Sequence, residues 1–505
     1  MTLILKIPEE NPPVLLSKIA DLISKFNRDG DLLSLELELL AACHDFLAPI
    51  ISTSINQILA DPEYLSILKF LGGQKGLCFR EYREVDVRIL NGRKIRVRSP
   101  YFYKKKEKKR GRKRTRRSKG NNPCCHPGLS LMGFISKCSP HLASEVVKLA
   151  LLSPSLQISS DLLDERQIKM DPKTIRSICR NMGLWGLENR GRVSLSGEED
   201  LEGCTLIVGT DGGRLRERRP KRGRKPTGNK QQGYHSDWYE PKLLTIYLLD
   251  QEGKVVESFK PIYDATMGRA DATFELIGTY LQELPLGKLE RVVFCGDGAP
   301  WIWERVESVI TELLPRHVPL FQVIDFTHAK QALGRIWEML PARLSTKAKT
   351  KIRKEWEKAL WEGETELLGE LIAQQFKTRN RAKAIKKWRS YFHSNEKRMK
   401  YAHFDQLGIP CGSGCVESAI RRVINLRLKA PGTFWTKEMA ECFLFMRAQL
   451  ISGRWNIFHR NLTRSMIYDL NLEEIRKREN DFELGAFLFC EHLNDLYIIR
   501  FLFFS

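Results

Sequence analysis

Two stretches of this chain end in the same way, and that repetition limits what it can fold into more than any other feature. Residues 206–213 read LIVGTDGG and residues 292–300 read VVFCGDGAP. In each, a short apolar run with the length and composition of a buried strand delivers an aspartate, Asp211 or Asp297, to its end among glycines. Glycine there leaves room for a phosphate backbone or a metal ion to approach the main chain. Pro300 suits the first position of a following helix. Either aspartate alone reads equally well as a turn residue or helix cap; the recurrence argues for a joint role. A third acid, Glu417, lies in CGSGCVESA (411–419), where a Gly-Ser-Gly turn leads into a helix. An acid in a helix's first turn is also favoured simply by the helix dipole.

The rest of the chain places these residues. Residues 1–75 have helical spacing of leucine and isoleucine. In the region 76–142, Val85, Val87 and Ile89 alternate with charged residues, Asn91-Gly92 signals a turn, and Ile95 and Val97 resume the alternation, which predicts a hairpin. Residues 143–200 read as helices; a turn at 170–173, with Asp171 as cap and Pro172 at the first helical position, permits a helix-turn-helix or a plain packed pair. From residue 201 the texture changes to α/β. Strands are expected at 205–208, 243–249, 255–259, 292–295 and 320–324, with helices at 270–284 and 301–314. The first three strands make an antiparallel meander, and the last two need crossover helices. A core of 201–328 is then interrupted by a helical, basic insert at 329–410, resumed at 411–456, and followed by an unassigned tail, 457–505. Trp337, Trp356, Trp361 and Trp388 in the insert suit helix packing or stacking on unpaired bases.

Charge points to the partner. Lys and Arg total 83 against 61 Asp and Glu, a net charge of +22, for which a polyanion such as DNA is the simplest counterpart. Residues 104–119 hold twelve basic side chains and one acid. Such a block repels itself and buries nothing, but it neutralises phosphates; Lys104, Lys105, Arg110, Arg112, Arg114 and Arg116 are expected DNA contacts. Arg214, Arg216, Arg218, Arg219, Lys221 and Arg222 directly follow Asp211 and are expected to form a loop over the DNA backbone. Twelve cysteines lack framework spacing, and MTLILKIPEENPP puts acid and proline where a secretory signal has its apolar core, so a reducing, cytoplasmic, nucleoid-associated location is expected. No run reaches the roughly 18 apolar residues of a membrane span. Cys124, Cys125, His126, Cys138 and His141 are possible zinc ligands, in a spacing that fits no standard finger.

Three acids suit phosphodiester chemistry. Two divalent cations roughly 3.5–4 Å apart can activate a nucleophile and stabilise the leaving oxygen. Such ions prefer oxygen ligands. The chain resembles the DDE transposases of prokaryotic insertion sequences, especially the ISKra-type group, and more distantly the Mutator-like transposases. The resemblance rests on GDGAPWI (296–302), GSGCVES (412–418) and DFTH (325–328), and covers residues 200–456, more loosely 80–200. It implies an α/β ribonuclease-H-like core, a mixed five-stranded sheet with helices, interrupted by an all-α insertion and preceded by α-helical and small β DNA-binding regions. It also implies Asp211, Asp297 and Glu417 as catalytic ligands of two Mg²⁺ or Mn²⁺ ions, with Asp325 and His328 supporting the site or contacting DNA. The expected function is cleavage of mobile-element ends and their transfer to target DNA, by a homodimer or larger assembly. A structure-selective nuclease on the same fold and an inactive, domesticated DNA-binding protein are the alternatives.

Overall fold

The computed structural model describes residues 11–104, 124–197, 199–223 and 233–468. Lys105, Arg110, Arg112, Arg114 and Arg116, the side chain of Cys124 and residues 469–505 lie outside the described residues. The chain divides into two compact units, Met1–Asn181 with Leu462–Ser505, and Met182–Asn461.

The first unit opens with helices α1 (Asn11–Asp29), α2 (Leu32–Ala60) and α3 (Pro62–Gln74). The carboxylates of Asp31 and Asp61 accept backbone N–H groups at the starts of α2 and α3, satisfying donors that have no intrahelical partner. Strands β1 (Leu77–Arg88) and β2 (Lys94–Lys104) form the expected antiparallel hairpin, with Val85 opposite Val97 and Val87 opposite Ile95. Gly92 makes its turn at φ +73°, where a side chain would be strained. A two-residue strand, β3 (Cys124–Cys125), pairs with β2. Ile55, Leu59, Tyr64 and Leu68 from the helices pack on Val87, Val97 and Phe102 from the hairpin. Helices α4 (Pro127–Leu131), α5 (Pro140–Leu152), α6 (Leu156–Glu165) and α7 (Pro172–Glu188) follow. The α6–α7 turn is built as the sequence predicts: Asp171 accepts the amides of Lys173 and Thr174 at 2.9 and 3.1 Å.

The second unit is a mixed five-stranded sheet with helices. After the short α8 (Arg190–Ser194) come β4 (Thr205–Gly212), a hairpin of β5 (Leu215–Pro220) and β6 (Tyr234–Tyr239), then β7 (Lys242–Leu249), β8 (Ile262–Thr266) and α9 (Ala270–Gln282). Strand β9 (Arg291–Gly296), α10 (Pro300–Arg305), a π-turn, α11 (Thr311–Leu313) and β10 (Leu320–Ile324) complete the sheet. Its order is β10-β9-β4-β7-β8; β4, β9 and β10 run parallel, and β7 and β8 antiparallel to their neighbours. The central strand β4 is buried from Thr205 to Thr210 because both faces are covered, which is why it reads as an unbroken apolar run.

Two expectations need correction. The third strand of the meander is Ile262–Thr266, not 255–259; Val255 makes only an isolated bridge to Leu249. The basic segment after Asp211 is not a loop: Arg216, Arg218 and Arg219 lie in β5, paired in register with β6, while Arg214, Lys221 and Arg222 flank it.

The helical insert consists of α12 (Phe326–Trp337), α13 (Thr346–Glu362), α14 (Thr365–Gln375), α15 (Thr378–Tyr391) and α16 (Tyr401–Gln406). Its tryptophans are packing residues. Trp356 and Trp388 are buried, and Trp388 and Trp337 donate their indole N–H to the carbonyls of Thr365 (2.9 Å) and Lys349 (3.0 Å). Trp361 stacks on Tyr401. Helices α17 (Gly414–Ile420), α18 (Lys437–Ile451) and α19 (Trp455–Tyr468) end the described chain. Among the described residues no helix is long and apolar enough to cross a membrane.

Candidate active site

Parallel pairing brings the two aspartates together. Gly209 on β4 is opposite Cys295 on β9, so Asp211 and Asp297, each two residues further on, leave adjacent strands at the same level. Residues 86 apart in sequence thus become neighbours at the carboxyl edge of the sheet. A third aspartate joins them: Ile324 on β10 is opposite Gly296, and the Asp325 amide donates to the Gly296 carbonyl at 2.9 Å.

Each carboxylate has a distinct environment. Burial raises the Asp211 carboxyl above its ordinary value; the charge of Asp297 adds to this, while the Gly212 amide (2.6 Å), His328 and Lys242 act against it. Asp297 accepts the Ala299 amide at 2.8 Å, and its carbonyl accepts the Trp303 indole N–H at 2.9 Å. Asp325 is buried and caps α12 by accepting the His328 amide at 2.8 Å. Its other oxygen accepts the Ser413 amide. Burial alone would raise Asp325, but His328 and Ser413 outweigh it and hold the carboxyl well below the usual range. The His328 imidazole Nδ1 is 3.4 Å from Asp325. That carboxylate, helped by Asp211 and Asp297 and opposed by burial, raises the imidazole above its ordinary 6.5.

Glu417 arrives on a helix laid over β4. A Cβ on Gly209 would stand 2.5 Å from Val416 Cγ2, so the helix backs onto the strand where a side chain is missing. The Phe326 amide donates to the Cys411 carbonyl at 2.8 Å, and with Ser413 on Asp325 this ties the Gly-Ser-Gly turn to the start of α12. Glu417 lies one turn beyond Ser413, its amide donating to the Ser413 carbonyl at 3.0 Å, and its exposed carboxylate has no hydrogen-bond or ion-pair partner among the described residues. Its oxygens do not close with those of Asp211 and Asp297 into a group within 4.8 Å; among the described residues only Glu366, His393 and Glu396 do so.

Four neighbours were not legible in the sequence as site residues. The Tyr391 ring at the end of α15 packs against Gly298, and a Cβ on Gly298 would collide with it. Glu240 fills the place of a Cβ on Gly212, and its carboxylate pairs with Lys242. Ser413 lies within GSGCVES, which carries no local sign of its amide's bond to Asp325. The zinc candidates do not assemble: among the described residues Cys125, His126, Cys138 and His141 form no group of ligand atoms within 4.8 Å. Burial instead raises the Cys138 thiol to about 11, and the His126 ring packs at 5.4 Å from Tyr101.

Comparison with protein-family models finds no match to this chain, and comparison with curated protein sequences finds no relative.

Proposed function

We propose that this protein is a DDE transposase, which cuts DNA strands at the ends of a mobile element and transfers them to target DNA. The observation that carries this reading is the placement of Asp211 and Asp297 in register at the carboxyl ends of adjacent parallel strands, with the Glu417 helix backed onto the first. In order of appearance the five strands lie 5-4-1-2-3 across a mixed sheet, an order that supports the ribonuclease-H-like core the sequence resemblance implies.

The donor set fits hard divalent cations. Asp211, Asp297 and Glu417 all offer carboxylate oxygens, and the first two leave adjacent parallel strands at the same level. Mg²⁺ or Mn²⁺ held by Asp211, Asp297 and Glu417 would supply activation of a water or DNA hydroxyl and neutralisation of charge at the leaving oxygen. The chain's own groups do the rest. Asp325 fixes the α12 terminus and the 411–413 turn to one another, so it sets the helix that carries Glu417. His328, whose imidazole Asp325, Asp211 and Asp297 raise above its ordinary value, places a ring nitrogen beside the acids, where it can donate to a phosphate oxygen. Glu240 and Ile424 occupy the space that side chains on Gly212 and Gly213 would take, and beyond them exposed Arg214, Arg216 and Arg218 offer phosphate contacts to the DNA. A homodimer or larger assembly would hold two ends together.

The test is cleavage of labelled duplex carrying the sequences that bracket the gene, in Mg²⁺, by wild type and Asp297→Asn. Loss of cleavage and of strand-transfer products in the variant, with DNA binding retained, is expected. Equal cleavage by both proteins contradicts the assignment, and cleavage without strand transfer selects the nuclease.

A further inference from the structure

The hairpin that replaces the expected loop has two unlike faces. Side chains alternate along a strand. With Arg216 opposite Trp238, Arg218 opposite Ser236 and Pro220 opposite Tyr234, one face carries two arginines and two aromatic rings and no acid. The other carries Leu215, Glu217 and Arg219 with Tyr239, Asp237 and His235; there Arg219 is paired with Asp237. On the first face neither Arg216 nor Arg218 has an ion-pair partner among the described residues. Their guanidinium groups lie instead over rings: Arg218 at 4.2 Å from the Tyr234 centroid, Arg216 at 4.9 Å from Trp238 and 5.8 Å from Phe434. Tyr234 and Phe434 are themselves 5.7 Å apart.

This face is open yet held in place. Trp238 is 55% and Tyr234 39% exposed, so each presents ring surface to solvent. The base of the hairpin is fixed: the Arg218 amide donates to the Trp435 carbonyl (2.6 Å), the Trp435 amide to the Arg216 carbonyl (3.0 Å), and the Tyr239 hydroxyl to the Met267 carbonyl (2.7 Å). Leu215 is buried, three residues after Gly212 at the end of β4. The result is a set of planar cations and planar rings on a rigid support, starting a few residues beyond Asp211.

We propose that this face is a platform for unpaired nucleotides, stacking bases on Trp238 and Tyr234 and holding the phosphates between them with Arg216 and Arg218. It rests on the nucleic-acid reading above and adds strand state to it. Duplex bases are stacked on one another and hide their faces, so rings and guanidinium planes offer them little. A single strand presents those faces to any ring, whatever its sequence. An acidic peptide would satisfy the arginines but gain nothing specific from the exposed indole.

The experiment uses the full chain, with fluorescence anisotropy of a labelled 20-nucleotide strand and of the same strand annealed to its complement. At about 0.2 M salt the sequence-independent electrostatic contribution is weakened. Trp238→Leu keeps apolar bulk but removes the π-face; Trp238→Phe keeps a ring. Loss of one stacking partner is expected to weaken single-strand binding about 10-fold in the leucine variant, with the phenylalanine variant within about 3-fold of wild type. Duplex binding is expected to stay within about 2-fold for both. Arg218→Gln is expected to lower the salt slope for the single strand by about 0.7, one phosphate contact. Equal single-strand affinity of the leucine and phenylalanine variants, equal losses on strand and duplex, or displacement by polyglutamate as effective as by unlabelled strand would each overturn the proposal. Thermal melting of each variant distinguishes a lost platform from an unfolded hairpin: a variant that melts as wild type does but binds tenfold more weakly supports it. Cleavage by wild type and Asp297→Asn is read separately, so failure of the platform and failure of the transposase reading give different patterns.

Discussion

Gly209→Ala puts a methyl group where α17 rests on β4. The added carbon would stand 2.5 Å from Val416 Cγ2, 3.2 Å from Thr245 Oγ1 and 3.4 Å from the Cys295 carbonyl oxygen. Carbon atoms in contact prefer about 3.5–4.0 Å, so Val416 has to retreat by about 1 Å or more. Strand β4 cannot give way, since it is paired on both sides by β7 and β9. Overpacking of this kind costs about 1–3 kcal/mol. In a domain of this size each kcal/mol corresponds to a fall in melting temperature of about 2–4 °C. Val416→Ala alone removes about two buried methylene equivalents, about 1.5 kcal/mol, from a side chain that is buried. Together the two substitutions add one carbon at position 209 and remove two at position 416, one of them the Cγ2 that the new methyl would meet, so the double variant is expected to be more stable than the sum of the single losses by about 1–2 kcal/mol. The assay is thermal denaturation of the four proteins, with Mg²⁺-dependent cleavage measured alongside. Cleavage by Gly209→Ala is expected to fall further than its folded fraction, because the helix that moves is the one that carries Glu417. Additive losses, within about 0.5 kcal/mol, would refute the seating of α17 on this strand.

Other expectations follow from buried partners. Tyr280→Phe removes the hydroxyl that donates to Asp264 at 2.8 Å in a fully buried setting; a loss of about 1–3 kcal/mol by chemical denaturation is expected, and no loss contradicts the pairing. Glu199, buried beside Arg454 at 3.2 Å, is pushed up by burial but pulled further down by the Ser196 amide and Arg454, so its folded carboxyl lies below the ordinary 4.5. A depressed value means the stabilisation is complete above the unfolded value and disappears as pH falls through the folded one. The stability gap between wild type and Glu199→Gln is therefore expected to shrink from pH 7 toward pH 3, and a constant gap contradicts the pairing. Gly298→Ala is expected to displace Tyr391 and reduce cleavage at unchanged DNA binding, and Tyr391→Ala in the same chain is expected to restore part of it.

The acids at the ends of β4 and β9 were legible because a doubly covered parallel strand leaves an uninterrupted apolar run, and its end is marked where polarity and glycine return. Strand β8 was misplaced for the opposite reason. Its sequence IYDAT contains Asp264, whose buried charge is matched by Tyr280 from α9 and Arg190 from α8, whereas 255–259 reads more like a strand on its own. The β5–β6 hairpin was hidden because RLRERRP shows charge rather than apolar alternation; its pattern exists only across the pair, where arginine meets tryptophan. Asp325 was picked out by resemblance, but its tie to Ser413, 88 residues away, leaves no local trace.

Where the cation binds decides whether the three acids form one site. Crystals of the full chain soaked in Mn²⁺ and measured at a wavelength where manganese scatters anomalously would show where it binds. A peak is expected between the Asp211 and Asp297 carboxylates, within reach of Glu417 and lost in Asp297→Asn. A crystal with manganese only at Glu366, His393 and Glu396, and none at the two aspartates, would contradict that expectation.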